Sequence, residues 1–349
     1  MRSDQHRKLL SAALLAISVS ALFACTAVEA AAPGPAACSL GEYQRSARPD
    51  AAGTATTVSL GLLLADLIAI SDTDQTVTLN VLLTMEWTDH RLSPVAGCHY
   101  SAADIWTPDI QLTNSGSLAS RQPAELVIQD GGRVVTRVRF EGTVSNPWHM
   151  KRFPFDSNNI LLQLVSLRYS AAEVSFLVNE SWTGRRSVMT VPNWDIGKPT
   201  ASVNSIMMPL LGHEASLFSF EIPASRLADY YIFKFFFPLC LIVMMSWAVF
   251  WISPDHLGAQ ISLSGTSMLT LIAYQFTIND LLPKVGYLTI MDKFVLVSSI
   301  LVFLALVEAI TSGAMAHAGN IKAAERLDRI SRWLFPGAYA IIVLATLLS

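Results

Sequence analysis

Six residues between Gly258 and Pro283 recur at alternating steps of four and three: Ser262, Thr266, Leu269, Ala273, Phe276 and Asp280. That spacing puts all six on one face of a helix. Read from the acid end, the face runs acid, aromatic, small, leucine, hydroxyl, hydroxyl. A polar row with an apolar plug in its middle suits a face that meets water in a pore. At about 1.5 Å per residue the segment is long enough to cross a bilayer. The other reading of the stretch is a helix packed against its neighbours through small and hydroxyl residues.

The rest of the chain must position that helix. Of the 349 residues 52% are hydrophobic and 15% charged, an average over two unlike halves, because most charges precede Tyr230 and long apolar runs follow it. The net charge of −3 and the lack of a basic tract argue against a nucleic-acid partner. No CxxC or Cys/His cluster points to a metal, and none of the sequence calls for a cofactor. No HExxH, no Gly-rich phosphate loop and no Ser/His/Asp motif with supporting context suggests an enzyme.

Arg2, His6, Arg7 and Lys8 precede an apolar run from Leu9 to Ala24, and Val28-Glu29-Ala30 offers a small-residue cleavage site. Residues 1–30 therefore read as a signal peptide, and the Ala/Pro/Gly-rich residues 31–56 as a flexible lead-in. Cys38 and Cys98 would share an oxidising compartment, and their spacing leaves pairing open. Residues 57–227 carry short alternating runs, among them VTLNVLLTMEW at Val77–Trp87, RVVTRVRF at Arg133–Phe140, ILLQLVSL at Ile160–Leu167 and SLFSFEI at Ser216–Ile222. Turn signals separate them, which predicts an all-β, immunoglobulin-like sandwich. Residues 228–349 carry four apolar segments, about Tyr230–Ile252, Gly258–Leu282, Thr289–Ile310 and Trp333–Leu348. Lys322, Arg326, Arg329 and Arg332 make Thr311–Arg332 a predicted cytoplasmic loop, so both ends of the four-helix domain face the side of the β domain.

Five short motifs in order then give the chain a resemblance. Glu86-Trp87-Thr88-Asp89-His90-Arg91-Leu92, Trp106-Thr107-Pro108-Asp109, Phe153-Pro154-Phe155-Asp156, Arg226 with Pro238, and Leu282-Pro283 resemble those of a pentameric ligand-gated ion channel of the Cys-loop receptor superfamily in its bacterial form. The two loop cysteines would fall at Asn146 and Ile160 and are absent. Trp87 and Trp106 read as core aromatics packing between strands.

The resemblance implies a homopentamer in the lipid bilayer of a bacterial inner membrane, multi-pass, with the β domain in the periplasm. Five copies of the seam would line a path for permeant ions. Leu269, with Ala273 and Phe276, would form an apolar constriction, Ser262 and Thr266 would offer hydroxyls, and Asp280 would make an acidic ring. Ala259 stands where cation-selective relatives usually carry an acid, and Gly258-Ala259-Gln260 partly resembles the Pro-Ala-Arg of anion-selective members without its Arg. With Asp280 and Asp255 the nearby charges, the sequence favours cations; an anion-selective channel and a non-conducting membrane sensor are the alternatives.

For gating the resemblance implies a coupling set of Asp72, Asp74, Phe153, Pro154, Phe155, Asp156, Arg226, Pro283 and Lys284. Asp156 would pair with Arg226, and Lys284 with Asp72 or Asp74. The family's aromatic box falls on Leu82, Thr113 and Leu167, none aromatic, which disfavours an acetylcholine-like amine. Thr113, Arg139, Leu167, Tyr169 and His213 are the candidate ligand residues, for a small ligand or protons. His149, His213, Glu173 and Glu214 are the candidates to titrate. Glu308, in the third apolar segment, is a functional candidate or a snorkelling acid.

Overall fold

The computed structural model describes residues 38–50, 53–209, 212–279, 282 and 284–348. The expected signal peptide, Cys25, Asp280 and Pro283 lie outside the described residues. Residues 1–41 and 42–349 are separate packing units, and the sheets and helices belong to the second.

Two sheets build the first half. One has the strand order β10 (Gly184–Arg185), β1 (Thr56–Ser71), β2 (Thr76–Thr88), β7 (Arg133–Ser145), β6 (Glu125–Gln129) and β3 (His99–Ser101), with β5 (Ala119–Ser120) beside β7 and β9 (Val174–Val178) beside β1. The other has the order β11 (Trp194–Ile196), β13 (His213–Arg226), β8 (Ser157–Ser166) and β4 (Ile110–Leu112), with β12 (Thr200–Met208) added beside β13. The long strands are β1 (Thr56–Ser71), β2 (Thr76–Thr88), β7 (Arg133–Ser145), β8 (Ser157–Ser166) and β13 (His213–Arg226). Period-2 burial explains them: Leu60, Leu62 and Leu64 of β1 point inward, as do Ile160, Leu162 and Leu164 of β8. Phe218, Phe220 and Ile222 of β13 are likewise fully buried. Trp87 and Trp106 meet edge to face, 5.9 Å between centroids, inside this core. Gly132 bends the chain into β7 at a φ of 79°, and a Cβ there would collide with the Asp89 carbonyl. Cys38 and Cys98 are each disulfide cysteines, whereas Cys240 carries a free thiol.

The end of the lead-in is not loose. Tyr43 donates its hydroxyl to Asp89 at 2.8 Å and accepts the Trp106 backbone N–H at 3.1 Å. One half-buried phenol with three polar neighbours, Arg91 being the third, pins this stretch where composition suggests free chain.

Four helices follow: α1 (Asp229–Trp251), α2 (Leu257–Asn279), α3 (Ile290–His317) and α4 (Ile321–Leu348). The first three are long and apolar enough to cross a membrane. A π turn at Ile232–Phe236 precedes Pro238 in α1, as fits a residue with no N–H for the helical ladder. The predicted cytoplasmic loop at Thr311–Arg332 is corrected by the structure: α3 and α4 occupy it except for residues 318–320. Ala324, Asp328, Ser331, Phe335 and Tyr339, at steps of four, three, four and four, form the buried face of α4. The basic Lys322, Arg326 and Arg329 are exposed. Helical periodicity, not loop character, accounts for that charge pattern.

Candidate pore face and coupling interface

Helix α2 has two distinct sides. Gln260, Ser264, Ser267, Leu271 and Ile278 are buried against the chain's own helices. Ser262, Thr266, Leu269, Ala273 and Phe276 are exposed, Leu269 at 70% and Phe276 at 77%. The threonines satisfy their hydroxyl hydrogens within the helix: Thr266 donates to the Ser262 carbonyl at 2.7 Å and Thr270 to that of Thr266 at 2.8 Å. Such back-bonding leaves the hydroxyl oxygens free as acceptors toward the open side.

Two residues that the sequence reading passed over fix the side that faces inward. Tyr274 donates to the Phe235 carbonyl, in the π turn of α1, at 2.8 Å. Gln275 donates to the Ser299 hydroxyl on α3 at 2.6 Å. They are adjacent in sequence and reach opposite neighbours, so the C-terminal half of α2 is held from both sides. A polar residue just off the exposed seam was the only sequence signal for either.

Where β13 enters α1, the Arg226 side chain is 2% exposed and lies between two carboxylates. Its Nε donates to Asp156 Oδ1 at 2.8 Å, and its terminal nitrogens donate to the two oxygens of Asp72, each at 2.8 Å. Trp194, Phe153 and Tyr231 present rings 4.2, 4.8 and 5.6 Å from the guanidinium carbon. Burial works against the charged guanidinium, but hydrogen bonds to Asp72 and Asp156 outweigh it and raise its pKa. Asp74 is taken by the Ser71 hydroxyl at 2.8 Å. Lys284 is exposed, and among the described residues it pairs with neither Asp72 nor Asp74, which corrects the expected contact: Arg226 and Ser71 already hold those acids.

The Phe153–Pro154 bond is cis, Phe153 is fully buried, and Phe155 faces the Phe236 ring at 6.2 Å. Backbone groups of this tip meet α3. The Lys151 carbonyl accepts from Ile290 N–H at 3.1 Å, and the Phe153 carbonyl from Met291 N–H at 3.3 Å. These are first-turn donors with no partner inside the helix. Thr289 and Asp292 close a capping box over the same end. The Tyr287 hydroxyl accepts the Met150 N–H at 3.0 Å.

The candidate ligand residues are scattered. Tyr169 is 8% exposed and accepts the Trp106 indole N–H at 2.8 Å, which removes it from a ligand surface and places it in the core. Thr113 is exposed, with its N–H given to the Gln163 carbonyl at 2.9 Å. Arg139 is exposed on β7 and donates to Asn80 at 2.9 Å. Leu167 follows β8, and His213 opens β13 with its Nδ1 3.3 Å from the Glu214 carbonyl oxygen. Arg139 and His213 thus belong to different sheets. The ring of His149 is exposed; its backbone N–H is held by Asn158 at 2.9 Å. Glu173 accepts the Ser170 N–H and hydroxyl, and these bonds hold its carboxyl below the usual range, so it does not titrate near neutrality.

A β-sandwich joined at a buried arginine to helices long and apolar enough to cross a membrane, one with an exposed hydroxyl and leucine face, fits a receptor with a helical transmembrane region. The sequence matches the neurotransmitter-gated ion-channel ligand binding domain over residues 38–205 and the neurotransmitter-gated ion-channel transmembrane region over residues 235–322. The chain belongs to this family of ligand-gated ion channels, whose members are not enzymes. It is 28% identical over 283 residues to a gamma-aminobutyric acid receptor subunit beta of Caenorhabditis elegans, covering 76% of this chain and 50% of that relative. It is 25% identical over 315 residues to a proton-gated ion channel of Gloeobacter violaceus, covering 88% and 87%. With the human gamma-aminobutyric acid receptor subunit alpha-2 it shares 25% over 330 residues, covering 86% and 71%.

Proposed function

We propose that this protein forms a homopentameric, chemically gated channel that passes small cations across a bacterial inner membrane, its β domain in the periplasm. Five copies of α2 surround one water column. Leu269, Ala273 and Phe276 form its apolar gate, Ser262 and Thr266 its hydroxyl rows, and Asp280 its acidic outer ring. The observation that carries this reading is the exposed face of α2, on which Leu269 and Phe276 are left uncovered while Ser264 and Ser267 turn inward. A helix in lipid gains nothing from a threonine row beside such residues.

The stimulus acts at a junction between two copies, where Arg139 of one sheet faces Leu167 and His213 from the other. A small ligand or protons fit these residues; an amine held in an aromatic box does not. Motion of the β domain reaches the pore through Asp72, Arg226 and Asp156 and through the Phe153–Phe155 tip on α3.

Cysteine scanning in a Cys240→Ser background tests the assignment of faces. A cationic thiol reagent should block current through Leu269→Cys and Phe276→Cys and leave Ser267→Cys and Leu271→Cys unaffected. Block that follows residues 267 and 271 instead would put the water column on the other side of α2.

A further inference from the structure

Glu308 of α3 and Asp328 of α4 form a pair that neither the pore face nor the coupling interface uses. Glu308 is 9% and Asp328 1% exposed. The two carboxyls face each other across the α3–α4 contact, with Ser331 beside Glu308. Yet both oxygens of Glu308 and the Oδ2 of Asp328 are buried and accept no hydrogen bond from any described N–H or O–H. Asp328 Oδ1 is satisfied by the Ser312 hydroxyl at 2.5 Å. Three orphaned carboxylate oxygens in a closed contact are costly unless something positive lies between them.

The protein supplies no such group among the described residues. The charged side chains that face the pair are Glu325 and Arg332 of α4. Glu325 adds negative charge. Arg332 gives its Nε to the Phe250 carbonyl at 2.7 Å and stacks 5.7 Å over Trp251, so it is committed to the end of α1. From α3 the neighbour is the neutral Ser312, and from α4 the neutral Ser331. Beside Ser312, Gly313 lies so close to Leu257 that a Cβ would collide with it, which closes the contact toward α2.

We infer that Glu308 and Asp328 hold one proton in common, making a proton-binding site between α3 and α4. A carboxyl that carries a proton becomes a donor, and the Glu308–Asp328 contact then turns into an O–H···O⁻ hydrogen bond that uses an orphaned oxygen on each side. The site lies toward the far end of α3 from Ile290, where the β domain makes its contacts. Loss of the proton sets two like charges against each other and weakens the seating of α4 on α3. A shared proton therefore makes this contact pH-sensitive independently of anything bound to the β domain.

Infrared spectroscopy of the full-length protein in lipid nanodiscs tests this without reference to conduction, so failure here and failure of the channel reading are separable. The wild type should show the carbonyl band of a protonated, water-shielded carboxyl at neutral pH. The band should vanish in Glu308→Gln and in Asp328→Asn, because each amide offers its own N–H to the remaining carboxylate. A wild type without the band, or a band that survives either substitution, overturns the inference. Should a variant fail to assemble, isotopic labelling of the wild-type Glu and Asp carboxyls decides: a band that shifts with neither label overturns it.

Discussion

Arg226 holds Asp72 in a two-pronged ion pair, its terminal nitrogens 2.8 Å from the two carboxylate oxygens, and so ties the end of β13 to the turn between β1 and β2. The same guanidinium takes Asp156 with its Nε at 2.8 Å. One buried cation thus joins two loops of the sandwich at the point where the chain enters α1.

Removing Asp156 leaves the buried Arg226 Nε without its acceptor, while Asp72 still holds the terminal nitrogens. Asp156→Ala should destabilise the folded protein by roughly 1.5–3 kcal/mol, the loss of a buried hydrogen bond to a charged group. Arg226→Lys should fail to restore it, since an ammonium cannot span both acids with fixed prongs. Thermal melting and the yield of assembled protein check both; a wild-type melt for Asp156→Ala would contradict the assignment.

Tyr274 and Gln275 hold the C-terminal half of α2 from both sides. Tyr274→Phe removes the donor and leaves the Phe235 carbonyl without it, a loss of about 1–3 kcal/mol. The midpoint of activation should move by about fivefold or more. Gln275→Leu, which breaks the bond to Ser299, should move it in the same direction, and opposite shifts would argue against a common tether.

At the contact with α3, Tyr287→Phe should strand the Met150 N–H and reduce coupling without changing the pore. The measurement is single-channel conductance beside the activation midpoint: unchanged conductance with a shifted midpoint is expected, and a changed conductance would contradict it.

The β domain should lose stability in acid. Ser170 holds Glu173 below the usual carboxylate range. Burial works against ionised Asp66, but hydrogen bonds from Thr190 hold it below that range too. A depressed folded-state pKa contributes stability above the unfolded value and loses it as pH falls through the folded one. Glu173→Gln should therefore flatten part of the acid limb of a melting-temperature profile and leave the profile near neutrality unchanged.

Much of the fold is legible in the sequence, for identifiable reasons. Strand alternation places β2, β7, β8 and β13 because one face of each is buried, and the Phe153–Asp156 tetrapeptide marks the tip that meets α3. The stretch from Thr311 to Arg332 misleads when its charges are counted rather than placed. Lys322, Arg326 and Arg329 follow helical steps, and the buried Ala324 and Asp328 lie between them. Tyr169 misleads for another reason: an aromatic near a ligand position looks the same in sequence as one donated to the core, and only the Trp106 indole distinguishes them. Contacts between residues far apart in sequence, such as Tyr274 with Phe235 and Glu308 with Asp328, leave no local pattern.

Central to the proposed function is an ion path lined by the exposed face of α2 and closed at Leu269. Current recorded across a bilayer under asymmetric salt, comparing wild type with Leu269→Ser, tests it most directly. A cation channel gated at Leu269 should give a larger resting current in Leu269→Ser, with a reversal potential that follows the cation gradient. A reversal potential that follows chloride would contradict the cation selectivity. No current from either protein, with both assembled in the membrane, would contradict the channel itself.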